Sequence, residues 1–306
     1  MSVKSLVRVA GLVTCVFVAP ALAQPSNPAG FGTVIDVGTG YPQTSYDAIT
    51  GISNTQVNLY PGGGLGTSAL NSVGPNVEFN FLGGDIGNDE ALSVASGTPR
   101  VNITSGVVSS AINLGGGGAL WMGGGQTNRQ IEVYSGATIA IEGGVLQRGF
   151  QVYSGSTATV TGGTIGATSG IRGSGANTTV NISGGTVPIE ASFDNRATLN
   201  FSGGSINAVR LLANTTGNFF GTSLLLDGVP IPGLNIGQAF TISQRTGIFS
   251  GVLADGSPFS YNLAGTNTFG SSFFAGNALL TVTLVPAPGA AALLAAAGLL
   301  AARRRR

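Results

Sequence analysis

The fold of this chain is decided by the stretch Val180-Asn181-Ile182-Ser183-Gly184-Gly185, in which two apolar residues flank a polar one and a glycine pair follows. We call this the repeat motif. Similar or degenerate copies lie at 57–63, 79–84, 101–106, 120–124, 139–144, 158–163 and 199–204. The glycines that close the copies stand at 63, 84, 106, 124, 144, 163, 185 and 204. A period of roughly 20 residues built from strand and turn residues is typical of a solenoid.

Each copy of the motif predicts a short strand that ends at a tight corner. The two apolar side chains share one face of the strand, and the residue between them points to the other face. The glycine pair permits positive φ angles and close approach of neighbouring backbone. Residues 129–144 align with residues 148–163, which places Val-Tyr-Ser-Gly at 133–136 on Val-Tyr-Ser-Gly at 152–155. Single units of this kind cannot bury their apolar face, whereas stacked units share a continuous core.

We therefore predict an all-β protein, a parallel β-helix solenoid of about eight coils of about 18–22 residues that occupies 55–215 and winds right-handed. Residues 24–54 are predicted to form an N-terminal cap with one entry strand. After 215 the repeat stops, and strand and turn patterns over 216–285 predict a small antiparallel β cap. Such covers are needed because an open solenoid end exposes unpaired backbone and apolar core.

The amino-terminal segment 1–23 has the features of an export signal. Lys4 and Arg8 precede an apolar stretch, and Ala21-Leu22-Ala23 forms a small-x-small cleavage site. We predict a signal peptide over 1–23. Cys15, the one cysteine of the chain, lies within it, so the predicted mature protein has neither disulfides nor a catalytic thiol.

The carboxyl-terminal segment 286–306 has a second distinctive pattern. Pro286, Ala287 and Pro288 are followed by an uncharged apolar stretch over 289–302, which predicts a C-terminal hydrophobic helix, and the chain then closes with Arg303, Arg304, Arg305 and Arg306. The positive-inside bias would keep the arginines in the cytoplasm and the rest of the protein outside.

This tail resembles the PEP-CTERM sorting signal of exported bacterial proteins, which combines a short proline motif, an apolar helix and a terminal arginine cluster. Here Pro-Ala-Pro stands where that signal has Pro-Glu-Pro. The resemblance implies that Pro286, Ala287, Pro288 and Arg303–Arg306 form a sorting motif read by an exosortase-type processing protease. It further implies transient anchoring in the inner membrane through the helix, followed by delivery to the outer cell surface or the extracellular matrix.

The charge of the mature body excludes several functions. Six of the 13 basic residues lie in the two terminal segments, so seven remain against 12 acidic residues. A body with net charge −5 and no basic patch is not expected to bind nucleic acid. Without histidine, mature lysine or mature cysteine, the chain cannot build Ser-His-Asp or Cys-His catalysis, ordinary zinc sites or Schiff bases. We predict no catalytic, cofactor-binding or metal-binding residues and no cofactor.

Two groups of charged residues offer weaker alternatives. Asp85, Asp89 and Glu90 could bind calcium through oxygen ligands, or could form a solvated turn. A second group lies in adjacent coils and consists of Arg129, Glu132, Glu142 and Arg148. It could form a catalytic cleft, in a groove with Tyr134 and Tyr153 as its aromatic residues, or it could form surface ion pairs.

A third candidate is a column of short side chains at the middle position of the repeat motif, pointing outward. It is composed of Asn58, Asn80, Asn102, Ala140, Thr159, Asn181 and Asn200. A flat polar array could bind glycans, mineral or ice. Stacked amides also stabilise a solenoid by hydrogen bonding along the column.

The leading functional hypothesis is a non-catalytic exported structural or adhesive protein of the cell surface or extracellular matrix. Its expected partners, besides the processing protease, are exopolysaccharide or envelope components. The alternative is a carbohydrate-active β-helix enzyme, a polysaccharide lyase or hydrolase, or a glycan-binding module without turnover.

Overall fold

The computed structural model describes residues 30–41, 45–46, 52–65, 75–87, 92–94, 98–166 and 168–287. No helix occurs in these residues. The strands, in chain order, are β1 (Thr33–Val37), β2 (Ser45–Tyr46), β3 (Thr55–Leu59), β4 (Gly64–Leu65), β5 (Val77–Ile86), β6 (Leu92–Val94), β7 (Arg100–Val108), β8 (Ile112–Leu114), β9 (Ala119–Met122), β10 (Gln126–Thr127), β11 (Ile131–Val133), β12 (Thr138–Ile141), β13 (Val145–Leu146), β14 (Phe150–Val152), β15 (Thr157–Val160), β16 (Thr164–Ile165), β17 (Ile171–Ser174), β18 (Thr179–Asp194), β19 (Thr198–Leu211), β20 (Thr216–Leu226), β21 (Val229–Pro230), β22 (Ala239–Ile242), β23 (Ile248–Leu253), β24 (Pro258–Asn262), β25 (Phe273–Phe274) and β26 (Leu279–Leu284).

The strands of the repeat motif stack directly on one another as parallel pairs. Val101 of β7 lies beside Phe79 of β5 and Leu120 of β9, and Leu120 in turn lies beside Ile139 of β12. The degenerate copy at 120–124 therefore takes its place in the stack. This confirms the predicted parallel β solenoid, with about eight turns. The ladder extends to β1, which pairs parallel with β3 from Thr33 onward.

Each coil contributes strands to three faces. The first face holds the motif strands. The second face is formed by β2, β4, β10, β13 and β16, with the ends of β5 and β7 and the middle parts of β18 and β19. The third face is formed by β6, β8, β11, β14 and β17, the ends of β18 and β19, and β25. Apolar residues alternate along these strands and fill one interior; Ile131, Val133 and Phe150, for example, have no exposed surface.

The glycine pairs are required because backbone passes close to backbone at the corners. A Cβ atom on Gly162, the first glycine of its pair, would lie 2.2 Å from the carbonyl oxygen of Glu142 in the coil below. The second glycine, Gly163, has φ +80°, a conformation that favours glycine. The same arrangement recurs at Gly184 and Gly185.

From β20 onward, both parallel and antiparallel strand pairs occur. The second half of β20 pairs antiparallel with β23, β23 pairs antiparallel with β24, and β22 pairs antiparallel with β26. β26 itself lies parallel on β20, in register from Thr216 and Leu279. The predicted signal peptide and the predicted C-terminal helix over 289–302 lie outside the described residues.

Polar contacts at several places attach the segments after β20 to the coils, and two of them involve buried side chains. Tyr261 is buried and donates a hydrogen bond to the carbonyl of Ile206 (3.0 Å). Arg210 on the third face forms an ion pair with Glu190 (3.1 Å), and Glu190 also accepts a hydrogen bond from the Gly270 N–H (2.8 Å). The loop that contains Gly270 is thereby fixed over the upper end of the third face.

The Arg245 guanidinium joins two of the segments that follow β20, and its replacement gives a first prediction. It donates to the carbonyls of Ile242 (2.6 Å), Ala275 (3.1 Å) and Ala278 (2.5 Å) and so joins the end of β22 to the start of β26. Arg245→Met should lower the free energy of unfolding by about 2 kcal/mol, because half-buried carbonyls lose a charged donor. Urea denaturation measures the change.

The control for this prediction is Arg148→Met, which removes an exposed guanidinium. It should change the free energy of unfolding by less than about 0.5 kcal/mol. Equal losses in the two variants would contradict the role of Arg245.

Candidate functional site

The predicted asparagine column exists as hydrogen-bonded ladders, but its first part is not an exposed array. Asn80 Nδ2 donates to Asn58 Oδ1 (2.8 Å), and Asn102 Nδ2 donates to Asn80 Oδ1 (2.7 Å). All three side chains are buried, and Asn102 has no exposed surface. These rungs therefore stabilise the stack and do not present a flat polar surface for a ligand.

The column is interrupted and then resumes. Trp121, Ala140 and Thr159 occupy the position in the middle coils. A second ladder follows, in which Asn200 Nδ2 donates to Asn181 Oδ1 (2.7 Å) and Asn218 Nδ2 donates to Asn200 Oδ1 (2.8 Å). These later asparagines are half-buried.

The predicted acidic cluster is only partly described. Asp85 is exposed, and its Oδ1 atom accepts a hydrogen bond from the Val107 N–H (2.9 Å). Asp89 and Glu90 lie outside the described residues. Within those residues, no group of three or more acidic side chains is close enough to hold a metal ion.

The charged residues predicted to line a groove lie on different parts of the coil. Glu132 is in the middle of β11 on the third face, whereas the exposed Glu142 directly follows β12 of the first face. Arg129 and Arg148 precede β11 and β14, at the opposite end of these strands from Tyr134 and Tyr153. The two glutamates are thus not placed together as a pair of catalytic carboxylates.

Tyr134 and Tyr153, by contrast, do come together. Their rings stack with centroids 4.7 Å apart and an interplanar angle of 3°. The spacing follows from the coil, because β11 and β14 pair in register and each tyrosine is the first residue after its strand. Tyr134 is 39% exposed and Tyr153 is half-buried. The Tyr134 hydroxyl donates a hydrogen bond to Glu132 Oε2.

A row of outward polar residues runs beside this tyrosine pair on the third face. Asn113, Glu132, Gln151 and Arg172 lie on successive strands in register. Burial raises the pKa of the Tyr153 hydroxyl, the charge of Glu132 acts in the same direction, and the charge of the exposed Arg172 opposes them by less. Sequence reasoning missed Asn113, Gln151 and Arg172. The alignment of 129–144 with 148–163 places Gln151 on Glu132, whereas Asn113 and Arg172 lie outside both aligned stretches.

The hydrogen bond to Glu132 raises the pKa of Tyr134 well above its usual value, and desolvation and the glutamate charge act in the same direction. The folded state thus holds this proton more tightly than the unfolded state. Its contribution to stability is present below about pH 10, the usual tyrosine pKa, and is lost as the pH rises further.

Ultraviolet titration of the phenolate band tests this prediction. In the folded protein, Tyr134→Phe should remove one of the tyrosines whose phenolate forms above about pH 10. Glu132→Gln should move the ionisation of Tyr134 back toward that pH. If the Tyr134→Phe protein instead lacks a tyrosine that ionises near pH 10 in the unaltered protein, the raised pKa of Tyr134 is contradicted.

A second exposed tyrosine pair provides a comparison. Tyr41 and Tyr60 stack at 4.6 Å with an interplanar angle of 15°. The pKa of Tyr60 is raised, first by its hydrogen bond with Tyr41 and then by burial. This pair lies near the first coils, away from the row of Asn113 and Glu132.

The predicted sorting motif can be located only in part. Pro286 and Ala287 directly follow the last strand and Val285, while Pro288 and Arg303–Arg306 lie outside the described residues. Among the residues that the structure does describe, no helical segment has the length and hydropathy of a membrane span.

Comparison of the chain with protein-family models, with curated proteins and with solved structures finds no match.

Proposed function

We propose that this protein is a non-catalytic, exported structural or adhesive component of the outer cell surface or extracellular matrix. The observation that carries the proposal is the solenoid itself, in which the polar positions of the repeat motif are largely engaged with one another. Side chains that bond along the stack, such as Asn58, Asn80 and Asn102, stiffen a rod and are unavailable for chemistry.

The proposal includes the finer features that the sequence predicts. The coil winds right-handed, the strands from 216 to 285 act as an antiparallel cap, and residues 286–306 form a hydrophobic helix with a sorting motif. An exosortase-type protease recognises that motif after export of the chain. The mature rod then meets exopolysaccharide or envelope components.

Cell fractionation combined with mass spectrometry of both chain ends tests this function. We expect the protein in the outer-surface or matrix fraction, with its amino terminus at Gln24 and its carboxyl terminus before Arg303. A variant in which Arg303–Arg306 are replaced by glutamines should be retained or secreted with an uncut tail. Cytoplasmic protein with both ends intact would overturn the proposal.

A second candidate, a glycan-binding module without turnover, is favoured by the exposed stack of Tyr134 and Tyr153 beside Glu132. The enzymatic alternative uses the same patch but needs a partner for Glu132, and Glu142 lies on another face. Assays of reducing-end release and unsaturated products with neutral and acidic polysaccharides decide between the two. Turnover that is lost in Glu132→Gln would favour the enzyme.

A further inference from the structure

The stack of Tyr134 and Tyr153 does not continue into the coil below, where no aromatic residue lies under Tyr134. One face of the Tyr134 ring is covered by Tyr153. On the other side, the Tyr134 N–H donates to the Leu114 carbonyl of the coil below (2.7 Å), so the residue beneath Tyr134 is Gly115. Glycine has no side chain to cover the ring at this position.

The glycine turn of the coil below also lacks side chains beyond Gly115. Gly115 begins a turn that is closed by a hydrogen bond from the Gly118 N–H to the Gly115 carbonyl (2.9 Å). Gly116 and Gly117, within the turn, are exposed. The corresponding corner one coil higher carries Tyr134, Ser135 and Gly136. The glycine turn therefore leaves space where the repeat would otherwise place an aromatic ring and a serine.

Polar groups border this opening on one side. Asn113, on β8, lies in register with Glu132 on β11. Asn113 makes no side-chain hydrogen bond to a described residue, and Glu132 uses Oε2 for Tyr134 while Oε1 makes none to these residues. The opening thus has Tyr134 as an aromatic wall, with an amide and a carboxylate oxygen at its rim. Gly115 itself is buried, and the exposed backbone of the turn is that of Gly116 and Gly117.

The aromatic wall is held in place before any ligand arrives. Tyr153 supports the ring from behind, and Glu132 fixes its hydroxyl. Because the side chains of Tyr134 and Glu132 are already ordered in the free protein, they lose less conformational entropy when a ligand binds. Rigid tyrosines with two rotatable bonds are effective contact residues for the same reason.

We propose that one ring of a neutral polysaccharide stacks on the face of Tyr134 that Tyr153 does not cover, and bonds through its hydroxyls to Asn113 and Glu132. This inference rests on the proposed function, because it assigns the glycan partner to a specific site. The C–H groups of a sugar ring carry partial positive charge and fit the negative face of an aromatic ring. A carboxylate at the rim accepts hydroxyl hydrogen bonds and repels a uronate, as does a body of net charge −5.

Affinity electrophoresis of the purified protein in gels that contain one polysaccharide each tests the proposal. The neutral probes are xyloglucan, glucomannan and mixed-linkage β-glucan, and the acidic probes are alginate and polygalacturonate. We expect retardation by at least one neutral probe and none by the acidic probes. Tyr134→Ala should weaken the retarding interaction about tenfold or more, as expected for a lost stacking contact.

Matched variants keep the outcome interpretable. Tyr41→Ala removes an equally stacked and similarly exposed tyrosine elsewhere, and should leave the affinity unchanged. Glu142→Gln removes an exposed carboxylate that follows β12 on another face of the coil, and should also leave the affinity unchanged. Thermal denaturation of each variant verifies that it is folded.

Three results would overturn the inference: equal retardation of Tyr134→Ala and the unaltered protein, binding of acidic probes only, or no retardation by any probe. None of these results would affect the cell-fractionation test of export and surface location. A surface-located protein that fails this test remains a structural rod, whereas a cytoplasmic protein that passes it would contradict the export proposal alone.

Discussion

Gly162→Ala should lower the free energy of unfolding by about 3 kcal/mol or more. The added Cβ atom would lie 2.2 Å from the carbonyl oxygen of Glu142, and both groups belong to backbone that is held by its own coil. The Thr161 and Gly162 N–H groups both donate to the Ile141 carbonyl (2.8 and 3.3 Å). The clash can be relieved only by lifting one coil from the next, which breaks these hydrogen bonds. Urea denaturation followed by circular dichroism measures the loss.

The control is Gly64→Ala in β4, where the nearest atom to an added Cβ is the carbonyl oxygen of Asp85 at 3.8 Å. This substitution should leave stability unchanged or raise it by up to about 1 kcal/mol, because alanine restricts the unfolded chain. A Gly162→Ala protein as stable as Gly64→Ala would show that the corners have room for a side chain. The close coil contact would then not explain the glycine pairs.

Phe219→Ala should lower the free energy of unfolding by about 3–5 kcal/mol. Phe219 has no exposed surface and is the centre of an aromatic cluster. Its ring lies 5.8 Å from Phe201 of the last repeat motif, 5.2 Å from Phe249 of β23 and 5.9 Å from Phe259 of β24. Removing it opens a cavity between the coils and the β23–β24 hairpin.

Phe269→Ala is the matched control, because Phe269 is 61% exposed. It should change the free energy of unfolding by less than about 0.5 kcal/mol. The loss in Phe219→Ala should also appear as earlier proteolysis within 248–262, since the hairpin packs on this ring. A stable hairpin in that variant would mean that polar contacts hold the hairpin instead, such as the hydrogen bond from the Gly204 N–H to Asp255 Oδ2 (2.7 Å).

Much of the solenoid could be predicted because its determinants are local. Alternating residues such as Val180 and Ile182, closed by a glycine pair, define both the strand and its corner within six positions. Repetition then sets the register, and even the degenerate copy around Trp121 could be placed. The exposure of the asparagine column could not be predicted in this way, since the burial of Asn102 depends on groups outside its own motif.

The candidate site was predictable to the extent that it repeats. The 19-residue alignment places Tyr134 on Tyr153, but the opening below Tyr134 depends on the position of Gly115 in a coil that departs from the motif. Contacts between the coils and the residues after 215 could not be predicted, because they do not repeat. The bond from Gly270 to Glu190 joins residues 80 positions apart, and no periodicity relates them.

The position of β26 has a mechanical consequence. It lies between β20 and β22, in register with six residues of β20, and the Val285 N–H donates to the Gly221 carbonyl (2.8 Å) immediately before Pro286. A force applied to the tail along this strand loads all of these hydrogen bonds at once, in shear, rather than one after another as in unzipping. The rod is therefore built to bear tension at the end from which a tether would pull.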